Sequence, residues 1–237
     1  MGIGKFLKDH RSSHRVWMYY ELYIKNFRKR ISKYHSQYGE DREIGKFFEK
    51  KSKGYYFDIG CFHPIRYSNT FNLFKKGWQG TNIDVNKTSI DLFNIARPND
   101  KNICAAISDD KYEVDFFEDD ILGPINTIDN KMYEKSKGIF FKKGIVKKIK
   151  TSKIFDLISE SILYEKTDFL NIDAEGSDYK IIKQIDLKNS NINLVAIETH
   201  SPNGDTLDDF NNISKYFENN QYFVHKKIGP TTLYTKK

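Results

Sequence analysis

The sequence predicts an α/β fold with a mostly parallel, Rossmann-like sheet. Three observations carry that prediction. Short apolar runs that suit buried strands alternate with segments of helical period. Four of those runs end at or beside a carboxylate, at Asp58, Asp84, Asp173 and Glu198. The chain closes on two short runs, 222–225 and 231–234, separated by Gly229-Pro230, which read as an antiparallel hairpin.

Length and composition bound the reading. A chain of 237 residues holds one α/β domain with a full core. Aromatic residues make up 15% and supply buried area that the 38% hydrophobic fraction would otherwise lack. No apolar run approaches the roughly 18 residues needed to span a bilayer. The N-terminus lacks the apolar core of a signal peptide. Gly2 begins a myristoylation-like pattern, but Phe6 stands where Ser or Thr belongs. Cys61 and Cys104 are expected as two buried thiols in a reducing cytoplasm. Residues 1–35 hold nine Lys/Arg and two Asp/Glu, which is the whole net charge of +7. The remainder balances at 30 of each sign. A neutral body disfavours a nucleic-acid partner.

Residues 1–35 form a basic amphipathic arm, and 13–34 read as a helix. Trp17, Tyr20, Ile24, Phe27 and Ile31 fall on one stripe. Lys25, Arg28, Lys29, Arg30 and Lys33 crowd its C-terminal half, where cations suit the helix dipole. Such a helix packs on its own domain, pairs with a second copy, or meets an anionic membrane. A short helix through Ile44, Phe47 and Phe48 precedes the first strand, 55–59. Ser68-Asn69-Thr70 are good N-cap residues for a helix carrying Phe71 and Phe74, which stops at Gly77. A second strand spans 80–84, a helix 87–96 and a third strand 102–108. Residues 112–117 alternate and read as an extra strand. Residues 118–150 read as a polar insertion whose lysines (Lys142, Lys143, Lys147, Lys148, Lys150) form a solvated face or meet a phosphate. An amphipathic helix is expected over 151–163. Strands follow at 168–173 and 194–198, with a helix after each, the second over 205–219.

In an open parallel sheet the carboxyl ends of the strands line the ligand crevice. Asp84 lies at the tip of the second strand, where an acid accepts both hydroxyls of a ribose. A dinucleotide would want three glycines in the first loop to admit its pyrophosphate. The loop here, Gly60-Cys61-Phe62-His63-Pro64, has one. Single-glycine turn, ribose acid and closing hairpin together point to S-adenosylmethionine.

These residues resemble the FkbM family of S-adenosylmethionine-dependent methyltransferases. The resemblance runs through Ser36-Gln37-Tyr38-Gly39-Glu40-Asp41, Asp58-Ile59-Gly60, Ser68-Asn69-Thr70, Gly77-Trp78, Ile83-Asp84 and Asp168-Phe169-Leu170-Asn171-Ile172-Asp173-Ala174-Glu175-Gly176. It covers roughly 36–236 and leaves out the arm. It implies a class I methyltransferase domain over 36–237, with a seven-stranded sheet ordered 3-2-1-4-5-7-6. It also implies that Asp58 and Gly60 shape the methionine end of the cofactor. Ser68 and Asn69 would lie near its carboxylate, Asp84 would take the ribose, Val85 would sit beside the adenine, and Ile107 and Ser108 would flank it. The loop after Gly60 departs from the family's smaller, more polar one, which leaves His63 as either a substrate contact or a packed loop residue.

Many such enzymes methylate sugar hydroxyls in capsules and other glycans. A hydroxyl needs a base or a metal to remove its proton. Asp173, Glu175 and His200 are the candidates for that work. Resemblance makes Asp173 and Glu198 ligands of Mg²⁺ or Mn²⁺. The expected function is O-methylation of a sugar, nucleotide-linked or in a capsule or lipopolysaccharide-type glycan. The expected location is the cytoplasm or the inner face of its membrane. The alternatives are a phosphorylated small-molecule acceptor and a non-catalytic binding module of the same fold.

Overall fold

The first strand, β1 (Tyr55–Ile59), shows why this sequence makes a sheet buried on both sides. Tyr56 joins Ile44, Phe48, Leu73 and Trp78 on one face. Phe57 and Ile59 join Ile181, Ile185, Ile213 and Phe217 on the other. A strand covered on both faces must be apolar nearly throughout, as this one is until Asp58. The computed structural model describes the chain except for residues 1–13, 110–111, 140, 142–143, 202–203 and 237.

The remaining strands are β2 (Gln79–Asp84), β3 (Lys101–Cys104), β4 (Ala106–Ile107), β5 (Glu113–Glu118), β6 (Ile145–Ser152), β7 (Phe169–Ile172), β8 (Leu194–Glu198), β9 (Tyr222–Ile228) and β10 (Thr231–Lys236). Seven of them form one sheet in the order β3-β2-β1-β7-β8-β10-β9. Counted along the chain within that sheet, the order is the expected 3-2-1-4-5-7-6. Pairing is parallel from β3 to β8 and antiparallel for β10 against β8 and β9. Burying Phe57, Ile172, Val195 and Ile197 contributes about 1.5–3 kcal/mol each.

Three expectations are corrected. The expected third strand, 102–108, breaks at Ala105, and β4 pairs with β6 in a separate three-stranded sheet. The helix expected over 151–163 is mostly absent. β6 runs through Ser152, a short helix covers Ile154–Leu157, and a π-helical turn covers Ile162–Lys166. Ile154, Ile158 and Leu163 are still buried, so the apolar spacing marks the core and not a continuous helix. Cys61 is buried as expected, whereas Cys104 is exposed.

The insertion has more structure than its composition suggests. β5 pairs antiparallel with β6, and a helix spans Asn130–Ser136, capped by Asp129 accepting from Met132 N at 2.8 Å. Lys147 pairs with Glu118 and Lys148 with Asp115, while Lys150 lies over the Tyr112 ring. Lys142 and Lys143 lie outside the described residues.

The arm is helical but not one helix. It runs as an α-helix over His14–Tyr19, a π-helix over Tyr20–Lys25 and an α-helix over Phe27–Ile31. The wider turn is held at its end by Asn26, whose amide donates to Glu21 O at 2.8 Å. Trp17 is buried as the stripe predicts, but its partners inside are Met18 and Leu22; Ile24, Phe27 and Ile31 face solvent. Among the described residues, no helix is long and apolar enough to cross a membrane.

Candidate functional site

A cleft enclosing about 990 Å³, open mouth included, lies at the carboxyl ends of β1, β2 and β7. Its shape depends on Gly60. The residue has a φ of +74°, and a Cβ there would sit 1.8 Å from the carbonyl oxygen of Asp173. Only glycine lets the turn after β1 pass this close to the end of β7. The Gly60 amide donates to Ile83 O at 2.9 Å, so the same turn is tied to β2. Three strand ends, each with its acid, are thereby brought around one space.

The acids at the β1 and β2 end are saturated with donors. Asp58 is 2% exposed and accepts from Thr70 Oγ1 at 2.7 Å and Asn171 Nδ2 at 2.9 Å. Burial raises its pKa, and the Thr70 bond, Arg97 and the Asn171 bond pull it back. Arg97 is fully buried behind it and donates to Thr70 Oγ1 at 2.9 Å and Ser68 Oγ at 3.0 Å. Ser68 Oγ also accepts from the Phe71 amide at 3.1 Å, at the start of the helix Phe71–Lys75. Asp58 therefore holds the loop 60–70 against β7 and acts as a positioning residue. Asn69 donates to Asn171 Oδ1 at 2.9 Å, and its own Oδ1 is buried with no partner among the described residues. Asn69 itself lines the cleft, so this unspent acceptor lies beside the space a ligand would take.

Asp84 accepts from the Phe62 amide at 2.8 Å and the Asn86 amide at 2.7 Å, and burial raises its pKa to about 6. Each carboxylate oxygen keeps a further lone pair for a ribose hydroxyl. Val85 and Ile107 line the same end of the cleft, as do Ala105, Ala106 and Ile181. Ser108 is buried but does not line it; its amide donates to Ser152 O at 3.1 Å. The glycine turn, the orphan Asn69 oxygen and the Asp84 carboxylate fit the expected S-adenosylmethionine.

The β7 end is different. Asp173 and Glu175 line the cleft, and no donor among the described residues bonds either side chain or that of Glu198. Burial, then the neighbouring charge of Asp178, raises Asp173 to about 8. Burial and the charges of Asp173 and Asp178 hold Glu175 well above the carboxylate range. Glu198, which is not among the lining residues, is pushed up to about 11 by burial and by Asp173. Glu175 has a φ of +48° and precedes Gly176 at +95°. Left-handed backbone at a non-glycine residue costs roughly 1–2 kcal/mol. The turn is held by Asp178, which accepts from the Ala174 amide at 3.0 Å and the Gly176 amide at 3.2 Å, and by Thr127, which donates to Glu175 O at 2.7 Å.

Two expected residues stand elsewhere. His200 is buried, does not line the cleft, lies 2.7 Å from Thr199 Oγ1 and packs edge-on against Phe210. His63 is buried in its loop, where Nδ1 accepts from the Ile65 and Arg66 amides, both at 3.0 Å. It shapes the loop and is not among the residues that line the cleft. A metal ion held by Asp173 and Glu198 finds no support: among the described residues no three His, Cys, Asp or Glu side chains are grouped to hold one.

Sequence reasoning missed Arg97, Thr127 and the lining residues Gln37 and Asn126. Asn171 had a visible signal, an amide inside the apolar run Phe169-Leu170-Asn171-Ile172. Arg97 had none, since a buried arginine looks like any other in sequence.

The family model described as the methyltransferase FkbM domain matches residues 52–224. The chain belongs to that family and is an S-adenosylmethionine-dependent methyltransferase. A solved TehB-like SAM-dependent methyltransferase from Corynebacterium glutamicum is similar at 13% identity, with 92% of this chain and 98% of that one covered and a TM-score of 0.44. No curated protein matches.

Proposed function

We propose that this methyltransferase acts on a hydroxyl of a sugar, with Asp173 as the general base. The observation that carries the reading is the state of Asp173. Its carboxyl lines the cleft without a bonded donor, and its pKa is raised to about 8. A base poised near the working pH suits proton removal from a weakly acidic alcohol. S-adenosylmethionine supplies the electrophilic methyl. As the new O–C bond formed and the methyl–sulfur bond broke, releasing S-adenosylhomocysteine, the hydroxyl proton would pass to Asp173. Glu175 faces the same space, and its carboxyl, held protonated by burial and neighbouring acids, would donate a hydrogen bond to an acceptor oxygen of the substrate. Asp58 and Asn171 keep the cofactor end of the cleft fixed while this happens.

A phosphorylated small molecule suits the cleft less well. No lysine or arginine is among the residues that line it, and the described insertion lysines Lys147 and Lys148 are paired with Glu118 and Asp115. A nucleotide-linked sugar keeps its phosphates at a distance from the reacting hydroxyl, as does a sugar in a growing capsule or lipopolysaccharide-type glycan. The location that fits such acceptors is the cytoplasm or the inner membrane face.

The test is methyl transfer from labelled S-adenosylmethionine to a panel of nucleotide-activated sugars and phosphorylated polyols. The expected outcome is label on a sugar hydroxyl, with Asp173→Asn losing turnover and keeping cofactor binding. Label on phosphorylated polyols alone would overturn the sugar reading.

A further inference from the structure

The N-terminal arm has two apolar faces, and the fold uses one. Trp17, Met18 and Leu22 are buried against Ile65, Phe71, Leu92 and Leu122. The opposite face presents Val16, Tyr19, Tyr23, Ile24, Phe27 and Ile31 to solvent, with Ile24 66% and Ile31 67% exposed. A helix whose inward stripe is already packed would ordinarily be polar here.

The charges beside this face are of one sign. Arg28, Lys29, Arg30 and Lys33 have no carboxylate partner among the described residues. Arg30 lies over the Tyr23 ring at 4.8 Å. Glu21, the one acid in the described arm, is buried and taken by Lys25 at 2.8 Å. A solvated helix would lace its cations with acids. A nucleic acid would use the cations and leave the isoleucines and Phe27 without a purpose. A two-fold pairing with a second copy would set cations against cations. An anionic bilayer answers both halves: phosphates for the cations and an apolar boundary for the side chains.

We propose that this face docks on an anionic lipid bilayer. Ile24, Phe27 and Ile31 enter the headgroup boundary, and Arg28, Arg30 and Lys33 meet lipid phosphates. The arm's inward cluster also packs against Phe62 and Ile121. Phe62 lines the cleft, and Ile121 O accepts from Asn86 Nδ2 at 2.9 Å. Docking therefore holds the cleft beside the bilayer, where a sugar carried on a lipid would arrive. That last step rests on the sugar reading; the docking does not.

The test is co-sedimentation of the full chain with vesicles of phosphatidylcholine alone and of phosphatidylcholine mixed with phosphatidylglycerol. Binding is expected on the anionic vesicles only, weakening as salt rises. The triple variant Ile24→Ser, Phe27→Ser, Ile31→Ser and the double variant Arg28→Glu, Arg30→Glu should each lose at least about tenfold in partition. Their cofactor affinity, measured by calorimetry, should stay at the wild-type value, since the altered side chains face solvent. Equal partition onto both vesicle types, or none, overturns the proposal. A dimer seen by light scattering that the triple variant dissociates, without vesicle binding, assigns the face to a second copy instead. Retention of an oligonucleotide lost only in the double variant, again without vesicle binding, assigns it to nucleic acid.

Discussion

The two ends of the cleft hold similar numbers of acids in opposite electrostatic situations. At the β1 and β2 end, Asp58 and Asp84 each accept two hydrogen bonds, and Arg97 stands behind Asp58. At the β7 end, Asp173 and Glu175 have neither donor nor cation among the described residues, and burial with the charge of neighbouring acids, Asp178 among them, raises both. Donors fix a carboxylate's charge and position; their absence leaves its proton free to move. On the proposed reading the first end holds the cofactor and the second takes the proton.

The largest effect expected from breaking this contrast is on turnover. Asp173→Asn should lower kcat by about 10²–10⁴-fold while leaving the Kd for S-adenosylmethionine within about threefold in calorimetry. The reciprocal change at the other end should act on affinity. Asp84→Ala should weaken cofactor binding by about 10–100-fold, and an unchanged Kd would remove the ribose assignment.

The pH response sharpens the contrast. Asp173 has a folded pKa of about 8 against an ordinary value of 3.8. The folded protein thus binds the extra proton, and the stability linked to it is full below the ordinary value and lost as pH rises through about 8. Activity should run the other way and climb over the same upper range as the base ionises. Thermal melts and initial rates between pH 6 and about 9 should therefore slope oppositely, and Asp173→Asn should flatten the melting slope. The smallest effect is predicted for His200→Gln. Its ring faces Thr199 and Phe210, outside the cleft, so kcat should stay within about threefold, far from the loss of a general base.

Much of the holding end was legible in sequence. Asp58, Gly60 and Asp84 sit at strand ends, where the sheet's geometry leaves few other roles. The reacting end was half legible. Asp173 and Glu175 follow the same strand-end logic, but a residue in a loop is free to turn away from the cleft, as His200 does. The metal expectation found no support, since strand-end position brings acids near one another but no group of three such side chains forms among the described residues. Periodicity misled where the backbone changes pitch. The arm's stripe of Trp17, Ile24 and Ile31 assumed one regular helix, and the π-helix at Tyr20–Lys25 divides those residues between inside and outside. Ile154, Ile158 and Leu163 kept a helical spacing across a segment that is partly strand, bend and π-turn.

The bond from Thr127 Oγ1 to Glu175 O joins the insertion to the turn that carries Glu175. Gly123, Asn126 and Ile128 of the same stretch line the cleft. Acceptor choice and reaction speed therefore share a hinge pin. A lineage that remodels this stretch to admit a different acceptor also moves Glu175, and must restore that turn before the new acceptor is methylated quickly. New specificity in this chain should arise first as slow enzymes, with later substitutions around Thr127 and Asp129 recovering the rate.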